Sequence, residues 1–320
     1  MTAQIIKISR RKAQKTTADA ILAADWHVRP DVPICRTDNF FAAMCRKIDF
    51  ILALSKQHDC PILISGDLGE KPQWKNSLLE LMINKFIGNK IILIPGQHDL
   101  PNHRLDLWKE SGIGVLHAAG AIETIGVFKT EDRVVGHRKN NFFVMPFPYG
   151  SEIESFDLKI DIPMIAMTHQ MVIQEHELWP GQIAKKGHSL LKKFPEYSII
   201  LSGDNHQSFV VEYEGRKLVN PGSLMRSDAD QINHQPRVYL WYAQSNVVEP
   251  IYLSIEQGVI SREHIDISNA RENRNKAFIE RVNSDVEIKL SYTENLERYF
   301  NKFRTESKVK EKVWNACETV

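Results

Sequence analysis

No apolar run in this 320-residue chain approaches the roughly 18 residues that a membrane-spanning helix requires, so no membrane partner is expected. Cysteine is scarce: the four are Cys35, Cys45, Cys60 and Cys317, and no two form a CxxC pair. That excludes a disulfide scaffold or zinc knuckle and points to a reducing compartment, so the expected location is cytoplasmic. Internal repeats and low-complexity segments are missing too, which sets aside solenoids, rods and wholesale disorder. Nor is there an excess of one charge: Lys+Arg number 41 against 40 Asp+Glu, a net charge of +1. Such a balance argues against binding nucleic acid by bulk electrostatics alone.

What is present is locally uneven. Residues 1–20 carry Lys7, Arg10, Arg11, Lys12 and Lys15 before the first acid, Asp19, without the apolar core of a secretory signal. They are expected to form a solvated leader or short edge strand, or else a basic arm that touches phosphate. Beyond the leader, short apolar runs end repeatedly in polar turns: 21–24 before Asp25, 61–65 before Gly66-Asp67, and 90–94 before the Gly96-Gln97-His98-Asp99 turn. The same happens at 164–168 before His169, and at 198–202 before Gly203-Asp204-Asn205-His206. These runs are continuous rather than alternating, which predicts strands buried on both faces. A helix is predicted from Asp38 to His58, capped by Thr37 or Asp38, and another from Trp74 to Ile87, closing at Gly88. Short strands follow at 208–213, 217–219, 237–241 and 247–253. The fold class is therefore α/β, with polar residues presented at the carboxyl ends of strands, where sites in open α/β sheets lie.

From about Ser261 the chain turns polar and proline-free, with sparse apolar positions such as Phe278, Ile279, Leu296, Phe300, Phe303, Val309 and Val313. It reads as a solvated helical cap or as helices that dock on a partner.

Successive strand ends deliver carboxylate, imidazole or amide oxygen: Asp25 with His27, Asp67, Gln97 with His98 and Asp99, His169, then Asp204 with His206. Residues i and i+2 of an extended segment share a face, so Asp25 and His27 form one pair and Asp204 and His206 another. The donor types suit divalent ions. Their number exceeds the four ligands of a single tetrahedral zinc, so two ions sharing a carboxylate fit better.

In this order the series Asp25-x-His27, Gly66-Asp67, Gly96-Gln97-His98-Asp99, His169 and Gly203-Asp204-Asn205-His206 resembles the calcineurin-like metallophosphoesterases, from about Leu22 to Tyr242. Within them Arg36-Thr-Asp38, the 220–226 stretch Asn-Pro-Gly-Ser-Leu-Met-Arg and the polar C-terminal extension look most like the SbcD-type DNA repair nucleases. The resemblance implies a double β-sheet sandwich flanked by helices, with a catalytic domain at 21–258 and a helical extension at 259–320. It further implies that Asp25, His27 and His206 hold one ion. Asp67 would bridge to a second, held also by Gln97, His169 and Asp204. His98 would be the catalytic imidazole, oriented by Asp99.

Gln97 stands where the family has asparagine, and Asp204 where it has the first histidine of GHxH. Both keep the capacity to ligate. Added hard oxygen favours Mn²⁺, with Mg²⁺ as the alternative, over zinc. His103 and Arg226 are candidates for touching substrate phosphate, and Glu70 for capping a helix or supporting a ligand. His58, His117, His137, His188 and His264 sit in no ligand-spaced group, and Trp74 and Trp179 are expected in core or rim. The function implied is two-metal phosphodiester hydrolysis on DNA, with an ATPase partner on the C-terminal helices. Alternatives are a stand-alone phosphoesterase on nucleotides or small diesters, or a non-catalytic scaffold with a weakened second site. Nucleases of this type often pair as homodimers, although no sequence feature marks such an interface.

Overall fold

The computed structural model describes residues 17–127, 135–137, 142–156, 162–176, 181–285 and 291–317, with backbone alone at 135–137 and 281–285. Most of the basic leader (1–16) and Trp179 lie outside the described residues. The chain divides into two compact units, Met1–Ser261 and Arg262–Val320; the composition changes from about Ser261, and the resemblance implied a boundary at 258/259.

In the first unit the strands, in chain order, are β1 (Ala20–Ala23), β2 (Ile62–Ser65), β3 (Ile91–Ile94), β4 (Glu123–Thr124), β5 (Val135–His137), β6 (Phe142–Phe147) and β7 (Met164–Thr168). They continue as β8 (Val172–Ile173), β9 (Lys185–Lys186), β10 (Ile199–Ser202), β11 (Phe209–Tyr213), β12 (Arg216–Asn220), β13 (Arg237–Tyr242) and β14 (Val247–Tyr252). One six-stranded sheet runs β14-β13-β1-β2-β3-β4 and a second runs β11-β12-β10-β7-β6-β5. The central pairs β1–β2, β2–β3, β6–β7 and β7–β10 are parallel.

The continuous apolar runs are explained by what lies on each face. Ala20, Leu22, Leu63, Ile92 and Ile94 of the first sheet pack in one cluster with Val144, Ile165, Met167, Ile199 and Leu201 of the second. The alternate residues Ile21, Ile62, Ile64, Ile91 and Leu93 face the helices α1 (Phe40–His58) and α2 (Asn76–Phe86) instead. On the opposite side Ala166, Ile200 and Leu218 pack with Leu190 and Leu191 of α4 (Gly187–Lys193), which follows the short α3 (Gly112–Ala118). The layers are therefore helix, sheet, sheet, helix, a sandwich in which each central strand is covered twice.

Helix α1 begins later than its hydrophobic period suggested. Asn39, not Thr37 or Asp38, is the cap, its side-chain oxygen accepting from the Ala42 N–H at 3.1 Å. Asp38 is already engaged by Arg36, whose Nε and Nη2 donate to its two oxygens at 2.8 and 2.7 Å. Strand β6 went unanticipated because Pro146 interrupts its run and the Pro148-Tyr149-Gly150 segment after it carries no carboxylate, imidazole or amide of the kind that marked the other strand ends.

The second unit consists of α5 (Glu263–Asp285), α6 (Tyr292–Lys302) and α7 (Ser307–Cys317). Phe300 is buried there, its ring 6.0 Å from Trp314 in an edge-on contact, while Ile267, Phe278, Tyr299 and Phe303 are exposed.

Candidate metal centre

The strands β1, β2, β3, β7 and β10 end at the same edge of the sandwich, and the polar turn after each carries the predicted ligands. The backbone there is tightly bent. Asp25, His27, Asp67 and Asp204 all take positive φ, at 51°, 46°, 52° and 75°, a region non-glycine residues visit rarely, with Asp and His among those that enter it most readily. Gly66, with φ +86°, is obligatory for a second reason: a Cβ there would lie 2.0 Å from Nδ1 of His169. A Cβ at Gly96 would lie 2.1 Å from Oδ1 of Asp67.

Three overlapping groups of ligand atoms result, each within 4.8 Å: Asp25, His27 and His206; Asp25, Asp67 and His169; and His27, Asp67 and His98. Asp67 stands in two of them. Its Oδ1 accepts from the His98 N–H at 2.9 Å, while Oδ2 faces His169 Nε2 at 3.3 Å and His27 Nε2 at 3.9 Å. The imidazoles are held from behind. His169 Nδ1–H donates to the Ser65 carbonyl at 2.7 Å, which turns Nε2 inward. His27 Nδ1 approaches Glu70 Oε2 at 3.2 Å, an ion pair whose angles fall short of a hydrogen bond. Glu70 thus supports a ligand rather than capping a helix, and it also accepts from Arg29 Nη1 at 2.9 Å. Sequence reasoning missed Arg29, and the left-handed φ at Asp25 and His27 means that the chain there is not the extended segment on which the i, i+2 pairing of Asp25 with His27 was argued.

The protonation of the cluster reflects burial opposed by charge. Burial pushes Asp25 up to about 7, against the pull of His169. Asp67 is held well below the usual carboxylate range because His169, His27 and His98 outweigh its desolvation. Burial alone would depress His27 and His169, yet Glu70 and Asp67 raise the former to about 9, and Asp67 and Asp25 help raise the latter to about 10. His206, buried and beside His27, is pushed down to about 4. The Nε2 atoms of His27 and His206 stand 3.1 Å apart, so one carries the proton and the other accepts it. Protons on imidazole here take the part that a cation would take between the same anionic groups.

A divalent ion fits these residues. Asp25 Oδ2, Asp67 Oδ2, His169 Nε2 and Gln97 Oε1 are all buried without a hydrogen-bond partner, a concentration of unsatisfied polar atoms that calls for an explanation and that a bound cation would supply once His169 gives up its proton. The two positions that depart from the family pattern meet each other: Gln97 Nε2 donates to Asp204 Oδ1 at 2.6 Å. Asp204 stands in none of the three ligand groups among the described residues. Its backbone N–H instead donates to Asp25 Oδ1 at 3.0 Å.

Two sequence assignments change. Asp99 does not orient His98. Its buried carboxylate accepts from the backbone N–H groups of Gly69 at 2.9 Å, Gly96 at 3.0 Å and Leu68 at 3.3 Å, clamping the turns after β2 and β3 together. His98 is oriented by the Glu70 carbonyl, to which its Nδ1–H donates at 2.9 Å. Arg226 is not a substrate contact at the centre either. It is 4% exposed, and its guanidinium donates to the carbonyls of Ile232 and Glu256 in a separate cavity. His103 is exposed, with Nδ1 3.1 Å from the Gln97 carbonyl.

A cavity of about 220 Å³ opens onto Asp25, His27, Arg29, Glu70, His98 and His206, and Met225 and Asp228 also line it. No protein-family model matches the chain, and no curated protein does. Among solved structures it is similar to a novel archaeal phosphodiesterase, with 12% identity and a TM-score of 0.38 over 73% of this chain and 99% of that one. It is also similar to phosphopantetheinyl hydrolase from Mycobacterium tuberculosis, with 10% identity and a TM-score of 0.42 over 74% of this chain and 96% of that one.

Proposed function

We propose that this chain is a calcineurin-like metallophosphoesterase that hydrolyses phosphodiesters with two divalent ions, and that its substrate is DNA, processed with an ATPase partner as in the SbcD-type nucleases. The observation that carries the hydrolytic reading is the convergence of buried, unpartnered carboxylate, imidazole and amide atoms at one sheet edge. Asp25, His27 and His206 would hold one ion. Asp67 would be shared with a second, held also by His169 and Gln97. Asp204, whose Oδ1 accepts from Gln97, would be a further ligand of that ion. When bound, divalent ions supply Lewis-acid polarisation of the phosphoryl group and stabilise its developing charge. The donor set, rich in oxygen, favours Mn²⁺ or Mg²⁺.

The remaining steps belong to the chain. With Nδ1–H engaged by the Glu70 carbonyl, Nε2 of His98 is the nitrogen that can hold a proton for the leaving oxygen. Glu70 pairs with both His27 and Arg29, and Arg29, which lines the cavity, supplies positive charge beside a bound phosphate. Exposed aromatic and aliphatic side chains on the C-terminal helices, among them Phe278 at 67% and Phe303 at 60%, favour docking of a partner there. A second copy of the chain is the alternative occupant.

Digestion of single- and double-stranded DNA in Mn²⁺, run beside a small chromogenic phosphodiester, tests the proposal. Metal-dependent cleavage of DNA is expected. Cleavage of the small diester alone would replace DNA by a nucleotide-sized substrate, and cleavage of neither would overturn the hydrolytic reading in favour of a scaffold. Truncation after Ser261 is expected to abolish capture of the ATPase partner.

A further inference from the structure

Away from the metal centre, the two motifs Arg36-Thr-Asp38 and 220–226 meet around a second cavity of about 170 Å³. Three cationic side chains line it although nearly removed from water: Arg36 is 9% exposed, Lys47 6% and Arg226 4%. One buried carboxylate, Asp38, answers them through its bidentate pair with Arg36. Glu256 on the rim pairs with the exposed Arg46 at 2.5 Å and is committed outward. The other hydrogen bonds of the three cations go to uncharged carbonyls. Arg36 Nη1 donates to the Arg226 carbonyl at 2.8 Å, and Arg226 to those of Ile232 and Glu256 at 3.1 and 2.6 Å. Lys47 Nζ has the Leu224 carbonyl at 3.0 Å and, among the described residues, no other hydrogen-bond partner. Burying an ammonium against two guanidinium groups with so little anionic compensation is costly unless it gives up its proton or something anionic enters.

We infer that this cavity is a binding site for a tetrahedral oxyanion dianion, the size and charge of inorganic phosphate, held by Lys47, Arg36 and Arg226. A dianion neutralises three cations less one carboxylate, and Lys and Arg together are the usual pair for such groups. The site is wired to the metal centre. Leu224 accepts from Lys47 on its carbonyl and donates its N–H to the Asp25 carbonyl at 3.1 Å, and Met225 lines both cavities. An anion that draws Lys47 away from Leu224 is thereby felt at Asp25.

The test is calorimetric titration of the full chain, freed of metal with chelator, with inorganic phosphate and separately with sulfate. One saturable site for both anions is expected. It should weaken at least tenfold in Lys47→Met and persist in His206→Ala, whose change lies in the metal centre. No binding to the wild type, binding unchanged in Lys47→Met, or binding lost only in His206→Ala would each overturn the assignment. A second measurement needs no variant. Sulfate does not itself titrate at pH 8, so proton uptake on binding, read from two buffers of different ionisation enthalpy, reports the protein. Around Lys47 stand Arg36, Arg226, Arg46, Asp38, Glu256 and His234, and burial beside the two guanidinium groups depresses Lys47 to about 7. Uptake approaching one proton is expected, and heat independent of buffer would count against Lys47 as the anion's partner. Failure of DNA cleavage would leave this result untouched, since it requires neither metal nor turnover.

Discussion

Asp99→Ala removes the acceptor of three buried backbone N–H groups, those of Leu68, Gly69 and Gly96, at distances of 2.9 to 3.3 Å. Leaving a buried donor unsatisfied costs about 1–3 kcal/mol. Three of them, partly relieved by relaxation and water, come to roughly 5 kcal/mol, which approaches the whole stability of many domains. Asp99→Asn retains one acceptor and should recover part of the loss. Urea unfolding of the metal-free protein measures the difference through the shift in midpoint, read beside turnover of a chromogenic diester in Mn²⁺. If Asp99→Ala unfolds within about 1 kcal/mol of the wild type yet loses turnover, the clamp is wrong and the carboxylate acts on His98 after all.

Other perturbations separate the remaining roles. His98→Ala should lower turnover by about 10²–10⁴-fold while leaving metal stoichiometry, read by elemental analysis, unchanged; lost metal would make it a ligand. Gly66→Ala forces a Cβ to 2.0 Å from His169 and occupies a left-handed φ, so both thermal midpoint and metal affinity should fall, and an unchanged affinity would refute the close approach. Asp204→His should shift metal preference from Mn²⁺ towards Zn²⁺ in competition dialysis, because it breaks the Gln97–Asp204 bond and supplies imidazole; an unchanged preference would place Asp204 outside the centre. In anion-free buffer Lys47, about 7 when folded against an ordinary 10.5, binds fewer protons folded than unfolded between those values. Wild-type stability should therefore rise with pH through that window relative to Lys47→Met, by at most about 1.4 kcal/mol per unit, and parallel profiles would refute the buried charge.

Much of the fold was legible because its signals are local. Apolar runs such as Ile62–Ser65 and Ile91–Ile94 ending in Gly-Asp or Pro-Gly turns announce buried parallel strands, and the ligands follow from their position at those turns. The ordered motifs, through the resemblance they carry, were enough to name Asp25, His27, Asp67, His169 and His206, which the tertiary structure distributes over three overlapping groups that also take in His98. Partners chosen across long separations in sequence were not legible. Nothing in the chain announces that Asp99 clamps Gly69, thirty positions away, that the Glu70 carbonyl orients His98, or that Gln97 and Asp204 bond across 107 positions. Nor could spacing show that Arg226 turns away from the metal centre to join Arg36 and Lys47. Local sequence determines which backbone runs extended, where it bends and which chemical groups the bends carry. Only the closed sandwich decides which buried donor meets which acceptor, because those pairings depend on how the two sheets and their helices exclude water together.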